Sequence, residues 1–166
     1  TLTVTGATAI TLAANVSMST FNFAATGNQV LNLNAGYTDS VTVILTGDGG
    51  GDSVQNSGAT GANTTLSITG NATDFTAGTS LAGGSGTDSI TIIQTNGTAT
   101  IDGDITGFEN VTITDKAGDN TSDVTLTMTS YATAAIEVDA SALDAGEDAT
   151  LNLGSGTTVQ TITGGG

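Results

Sequence analysis

The sequence has no cysteine, proline, tryptophan or histidine, and its one basic side chain, Lys116, stands against sixteen acids. Without cysteine there is no disulfide framework and no thiolate metal site. Without histidine, cysteine or arginine, a serine nucleophile would lack its usual base. Paired carboxylates could in principle cleave a glycoside. No acid pair here, however, comes with the aromatic and basic groups that hold a sugar, so the chain reads as not an enzyme. The near-absence of basic residues also excludes nucleic acid, whose phosphates need Lys or Arg. An anionic membrane surface would repel the chain for the same reason. No apolar run approaches the roughly 18 residues of a membrane-spanning helix, and no signal peptide is visible.

What the chain does contain is threonine, serine, asparagine, glycine and short runs of β-formers. Hydrophobic residues are 37% and aromatics 4%, which suits a thin core of stacked branched side chains rather than a thick one. Alternation such as "TLTV" (1–4), "ITL" (10–12), "FNF" (21–23), "LNL" (31–33), "VTVIL" (41–45), "ITII" (90–93) and "VTLTM" (124–128) predicts strands with one apolar face. The first five such segments recur about every ten residues, and no stretch keeps a helical period. The fold class is therefore all-β. Two architectures fit: an antiparallel β-sandwich, or a parallel β-solenoid of short two-strand coils, roughly 18–22 residues each, with Gly/Asp-rich turns. The missing tryptophan and proline favour the solenoid, whose narrow interior takes Val, Ile and Leu and whose ladders run uninterrupted.

The net charge of −15 destabilises a compact state unless cations neutralise it, and divalent cations are the obvious candidates. Residues 1–38 carry no charged side chain, and every acid lies from Asp39 onward. That clustering points to localised sites. The chain also repeats itself. Phe21 and Phe23 match Ile136 and Val138, Leu31 and Leu33 match Leu151 and Leu153, and Leu45-Thr46-Gly47 match Ile162-Thr163-Gly164. The reading is a single solenoid segment, 1–166, of a longer protein. It holds about one and a half copies of a unit of about 117 residues, with 1–46 related to 118–163.

One stretch carries chemistry. "GGSGTDSIT" (83–91) fills the pattern G-G-x-G-x-D-x-U-x, in which U is a large apolar residue. Calcium takes six to eight oxygen ligands at about 2.3–2.6 Å. Glycines let the backbone turn sharply and aim carbonyls at an ion, the aspartate adds charge, and the apolar residue anchors the loop. Gly83, Gly84, Ser85, Gly86 and Asp88 are the candidate ligand loop, with Ile90 the anchor. A degenerate copy, "GDGGGDSV" (47–54), adds Gly47, Asp48, Gly50 and Asp52, and Gly164–Gly166 could begin a third. The two copies start 36 residues apart, nearer two coils than one, so a degenerate loop is expected between them. "GNATDF" (70–75), with Asn71 and Asp74, is the best candidate, and an ordinary Asn/Asp turn fits it equally well.

The loop "GGSGTDSITI", the following "ITGFENVTI" (105–113) and "VDASALDAG…LNL…TITGGG" (138–166) together resemble bacterial RTX-type proteins. More narrowly, they are similar to calcium-dependent surface-layer proteins and related adhesins. The resemblance implies type I secretion, a location at the bacterial cell surface, bound Ca2+, and calcium-driven folding and lattice assembly. The partners it implies are further copies of the chain, with cell-surface polysaccharide as a second class. The isolated nonapeptides depart from the family's tandem arrays. An RTX adhesin and a ligand- or ice-binding module are the alternatives. The latter would need threonines at one rung position over many equal coils.

Overall fold

The computed structural model describes residues 1–13, 17–34, 37, 39–46, 51–56, 65–76, 78–84, 86–94, 98–101, 104–115, 123–128, 136–153 and 160–164. Its strands are β1 (Leu2–Val4), β2 (Ala9–Leu12), β3 (Thr20–Phe23), β4 (Val30–Leu33), β5 (Val41–Leu45), β6 (Ser53–Gln55), β7 (Leu66–Asn71) and β8 (Ser80–Ala82). They continue with β9 (Ser89–Gln94), β10 (Thr98–Ile101), β11 (Asp104–Thr106), β12 (Asn110–Asp115), β13 (Asp123–Met128), β14 (Ile136–Ala142), β15 (Ala149–Leu153) and β16 (Gln160–Thr163).

The strands stack in parallel as a β-solenoid. One face is a continuous eight-stranded sheet, β1-β3-β5-β7-β9-β12-β14-β16. The other face is divided between a five-stranded sheet, β2-β4-β6-β8-β11, and a three-stranded sheet, β10-β13-β15. The chain thus climbs by alternating between faces, and every strand pair among the described residues is parallel. Successive coils differ in length: register partners are 19 residues apart at Leu2–Phe21 and 27 apart at Val111–Val138. The expected 18–22 residues hold at Leu2–Phe21, Phe21–Val43, Ile68–Ile90 and Ile90–Val111 and are exceeded at Val43–Ile68 and Val111–Val138. Most of the extra residues sit in the turns, where the backbone is unpaired, and one register shift falls inside the ladder, between Thr112 and Thr114 of β12 against β14.

Period-two alternation decides which side chains enter. In β5 the residues Val41, Val43 and Leu45 are buried, and Thr42 and Ile44 point outward. Phe21, Val43, Ile68, Ile90, Val111 and Val138 share a register position down the long sheet and form the spine of the core. Each fully buried side chain of this kind stabilises the fold by roughly 1.5–3 kcal/mol. Tyr37, buried in a return turn, donates its hydroxyl to the Met18 carbonyl at 2.6 Å, as a buried phenol requires.

The change of partner sheet has a local cause. After β7 the chain makes a 3₁₀ turn, Ala72–Phe75, that packs against β7, β9 and β10. The Phe75 ring is buried, and it fits because residue 70 is glycine. A Cβ there would lie 2.9 Å from Leu45 Cβ and 3.2 Å from the ring. With the turn beneath it, β10 starts a new sheet, while β11 completes the old one. The coil β9–β10–β11 therefore has three strands rather than two.

Candidate functional site

Each coil has two edges. At the outgoing edge the chain leaves the long sheet, and at the return edge it comes back to it. The nonapeptide loop lies on the return edge, between β8 and β9, with Asp88 immediately before β9 and Ile90 buried as its anchor. Ser85 falls outside the described residues.

The glycines allow three coils to nest. Gly83 N donates to Thr106 O at 3.0 Å, and a Cβ on Gly83 would sit 2.1 Å from the Gly107 carbonyl oxygen. Gly84 holds φ +89°, and its Cβ would lie 2.6 Å from Asn56 O in the coil below. Gly107, at φ +71°, faces Gly84 N from above. Only glycine permits both the left-handed conformation and this approach.

Asp88 is fully buried. Its Oδ1 accepts from Leu66 N at 2.7 Å, one coil below. Its own N–H donates to Glu109 Oε2 at 2.8 Å, and its carbonyl accepts from Glu109 N and Asn110 N at 3.2 and 3.1 Å. No donor among the described residues reaches Asp88 Oδ2. That oxygen lies 2.8 Å from the point where a Gly83 Cβ would be, and Gly107 O approaches the same point. Asn56, also fully buried, donates Nδ2 to Gly83 O, and its Oδ1 likewise has no described donor. Burial pushes the Asp88 carboxyl up to about 6. The Leu66 N–H opposes that shift, and the neighbouring Glu109 charge adds to it.

The degenerate copy lies elsewhere. Asp52 sits before β6, on the outgoing edge, across the solenoid from Asp88. It is buried, and its Oδ1 accepts from Gln29 N at 2.9 Å. Burial raises its pKa, with the Gln29 N–H opposing. Gly47, Asp48 and Gly50 fall outside the described residues.

Asn71 and Asp74 are on this outgoing edge too. Asp74 Oδ2 accepts from Asn71 N at 2.9 Å at the start of the 3₁₀ turn. Thr79 ties them to the Asp52 coil: its hydroxyl donates to Asp74 O at 2.9 Å and accepts from Gly51 N at 3.0 Å. Asn71 and Asp74 therefore stack over Asp52 and do not complete a cage around Asp88. Of the beginning third copy, only Gly164 is described, in open space at the top of the stack.

The nonapeptide pattern does not point to Asn56, Gly107 or Glu109, which pack on its loop from the coils below and above. The signal for two of them was present in the phrase "GFEN" (107–110), which lies one coil above the nonapeptide and packs Gly107 and Glu109 onto it. Asn56 carries no motif.

The recurring device is an aspartate at the start of a strand whose carboxylate accepts an N–H from an adjacent coil. Asp123 does the same at β13, accepting from Asp148 N at 3.0 Å. Asp52 and Asp123 are thereby engaged as coil-to-coil ties. Asp88 differs in having a second buried oxygen beside a carbonyl and a neighbouring carboxylate. Among the described residues no three acidic side chains converge. A cation here would thus rely on carbonyl and amide oxygens beside Asp88, an all-oxygen donor set that suits calcium. No helix of the described residues is long and apolar enough to cross a membrane.

Comparison with protein-family models, with curated proteins and with solved structures gave no match.

Proposed function

We propose that this solenoid is a structural module of a bacterial cell-surface protein that binds calcium at the Asp88 turn and assembles with copies of itself. The observation that supports it is the buried Asp88 Oδ2, which has no described donor and lies beside the Gly107 carbonyl oxygen. An ionised carboxylate in that position is costly without a cation or a proton. Asp88 would hold calcium together with Gly107 O and Asn56 Oδ1. Calcium supplies charge neutralisation there and fixes three successive coils against one another. Glu109, whose carboxylate holds the Asp88 N–H, keeps the turn in place and adds to the local negative potential.

The chain as a whole also favours a cation, since fifteen net negative charges repel one another in the folded state. A surface-layer subunit and an adhesin stalk share this mechanism, and electron microscopy of assembled material separates them. The deciding measurement is thermal unfolding followed by circular dichroism, with calcium and with chelator. Calcium is expected to raise the transition temperature and chelation to lower it. Identical transitions in the two conditions, with no calcium uptake in calorimetry, would remove calcium from the reading.

A further inference from the structure

We infer that the outward face of the long sheet, from β1 to β12, is the surface through which two copies of this chain associate. This deepens the self-assembly reading by naming the contact. The observation is a segregation of charge. Among the outward residues of β1, β3, β5, β7, β9 and β12 there is no charged side chain, and carboxylates first enter this face at Glu137 and Asp139 on β14. Over the same stretch Asp52, Asp74, Asp88, Asp104 and Glu109 stand in the turns or in other sheets, and Asp115 ends β12 at the register position of Gln94.

Two polar ladders run along this face in register. Thr69, Thr91 and Thr112 form one, and Ser67, Ser89 and Asn110 the other. Unequal coils do not disturb them, because the length differences between these coils lie in the turns. A regular ladder in this chain therefore does not need equal coils. The side chains support one another: Ser89 and Ser67 hydroxyls are hydrogen-bonded at 3.0 Å, and Thr46 Oγ1 donates to Asn22 Oδ1 at 2.9 Å. The six ladder residues are half-buried by their neighbours, so a partner meets a surface already ordered and little side-chain entropy is lost on contact. Ile44 and Ile93 also point outward, as partly exposed apolar anchors amid threonine and asparagine.

Charge selects the partner. Two chains of net charge −15 repel over most of their surfaces; backbones can approach without opposing carboxylates on this face and on the shorter run β2-β4-β6-β8, which ends at the exposed Asp104 of β11, and the long sheet offers the larger uncharged area of the two. A flat contact here leaves the acidic turns at its rim, wet and screened. Strand rise and spacing give roughly 500 Å² per copy, about 1,000 Å² in total, the lower bound for a specific interface. Such a contact is weak in one pair and effective when repeated in an array. The absence of exposed aromatic rings on the face argues against a sugar polymer as its occupant.

The test uses sedimentation equilibrium of the 166-residue chain in calcium, with folding checked by circular dichroism. The wild type is expected to dimerise with concentration. Thr91→Asp, at the centre of the face, is expected to weaken association at least tenfold. Asn32→Asp, which adds the same charge to the outward side of β4 on the opposite face, should leave it unchanged.

Because the chain has no cysteine, Thr91→Cys gives a second measurement. A short bis-maleimide should join Thr91→Cys chains as dimers and leave Asn32→Cys chains as monomers. This reading survives even if Thr91→Asp fails to fold. A wild type that stays monomeric at high concentration would overturn both this contact and self-assembly. Dimers weakened equally by both charges, or cross-linked at residue 32 instead of 91, would overturn the contact alone. A face that binds ice crystals while the chain stays monomeric would also overturn it.

Discussion

Asp88 and Leu66, 22 residues apart in sequence, are joined at 2.7 Å by a hydrogen bond from the Leu66 backbone N–H to a fully buried carboxylate. The bond ties one coil to the next at the corner where the chain re-enters the long sheet. It uses one carboxylate oxygen and leaves the other beside the Gly107 carbonyl and the Gly83 backbone. The consequences can be measured.

Asp88→Asn keeps an oxygen for Leu66 N–H and places a neutral amide where Oδ2 stood. In chelator this variant, which removes a buried charge, is expected to be at least as stable as the wild type. In excess calcium it should lose most of the wild type's gain in transition temperature. Parallel melts of both proteins, with and without calcium, check this. A wild-type-sized calcium response in the variant would place the cation elsewhere.

Acid should stabilise the calcium-free chain. The Asp88 pKa rises on folding from 3.8 to about 6. Between those values the folded state binds more protons than the unfolded state. Its stabilising contribution is therefore fully present below 3.8 and is lost as pH rises through about 6. The loss is on the order of 2 kcal/mol once solvent screening at the turn is allowed for. Asp52, also raised, acts in the same direction. Urea unfolding in chelator is expected to give a higher midpoint at pH 4.5 than at pH 7.5, with the difference reduced in Asp88→Asn.

Gly83→Ala puts a methyl 2.1 Å from Gly107 O, a backbone atom that can move only by displacing a coil. A loss of roughly 3 kcal/mol or more is expected, at the severe end for one substitution. Gly6→Ala, where no atom lies within 4 Å of the added carbon, should stay within about 0.5 kcal/mol of wild type. Equal midpoints for the two variants in denaturant would contradict the nesting of the three coils.

Gly70 and Phe75 should be energetically coupled. Phe75→Ala opens a cavity at the base of β10 and is expected to cost about 3–5 kcal/mol. Gly70→Ala crowds Leu45 Cβ and the same ring. With the ring removed, the alanine methyl loses one of its two obstructions, so the double mutant should be more stable than the summed single effects. A double-mutant cycle by urea unfolding reads the coupling directly. Strict additivity would mean that the turn is seated by something other than Phe75.

Much of this was legible in local residue patterns. The alternation in "VTVIL" and "ITII" is a statement about neighbours two residues apart, so it survives without knowledge of what packs on it. The nonapeptide was legible too, since glycines at turn positions and a buried Ile90 are demands of one short segment. Its surroundings were not. Asn56 lies 32 residues from Asp88 in sequence, and Glu109 lies 21 away. Nothing in the spacing of two motifs indicates on which edge of a coil each falls.

By itself the sequence determined that the chain is all-β, thin-cored, strongly acidic and built from short strands with glycine-rich turns. Those properties follow from side-chain type and period-two alternation. Only the tertiary structure decided which coils touch. It set Asp88 beneath Glu109 on the return edge, sent Asp52 and Asp74 to the outgoing edge, and aligned the uncharged ladders despite unequal coils. The reason is that parallel pairing is a long-range choice of register, made by which turn lengths let buried side chains stack and backbone groups pair, and that choice is a property of whole coils rather than of any one stretch of sequence.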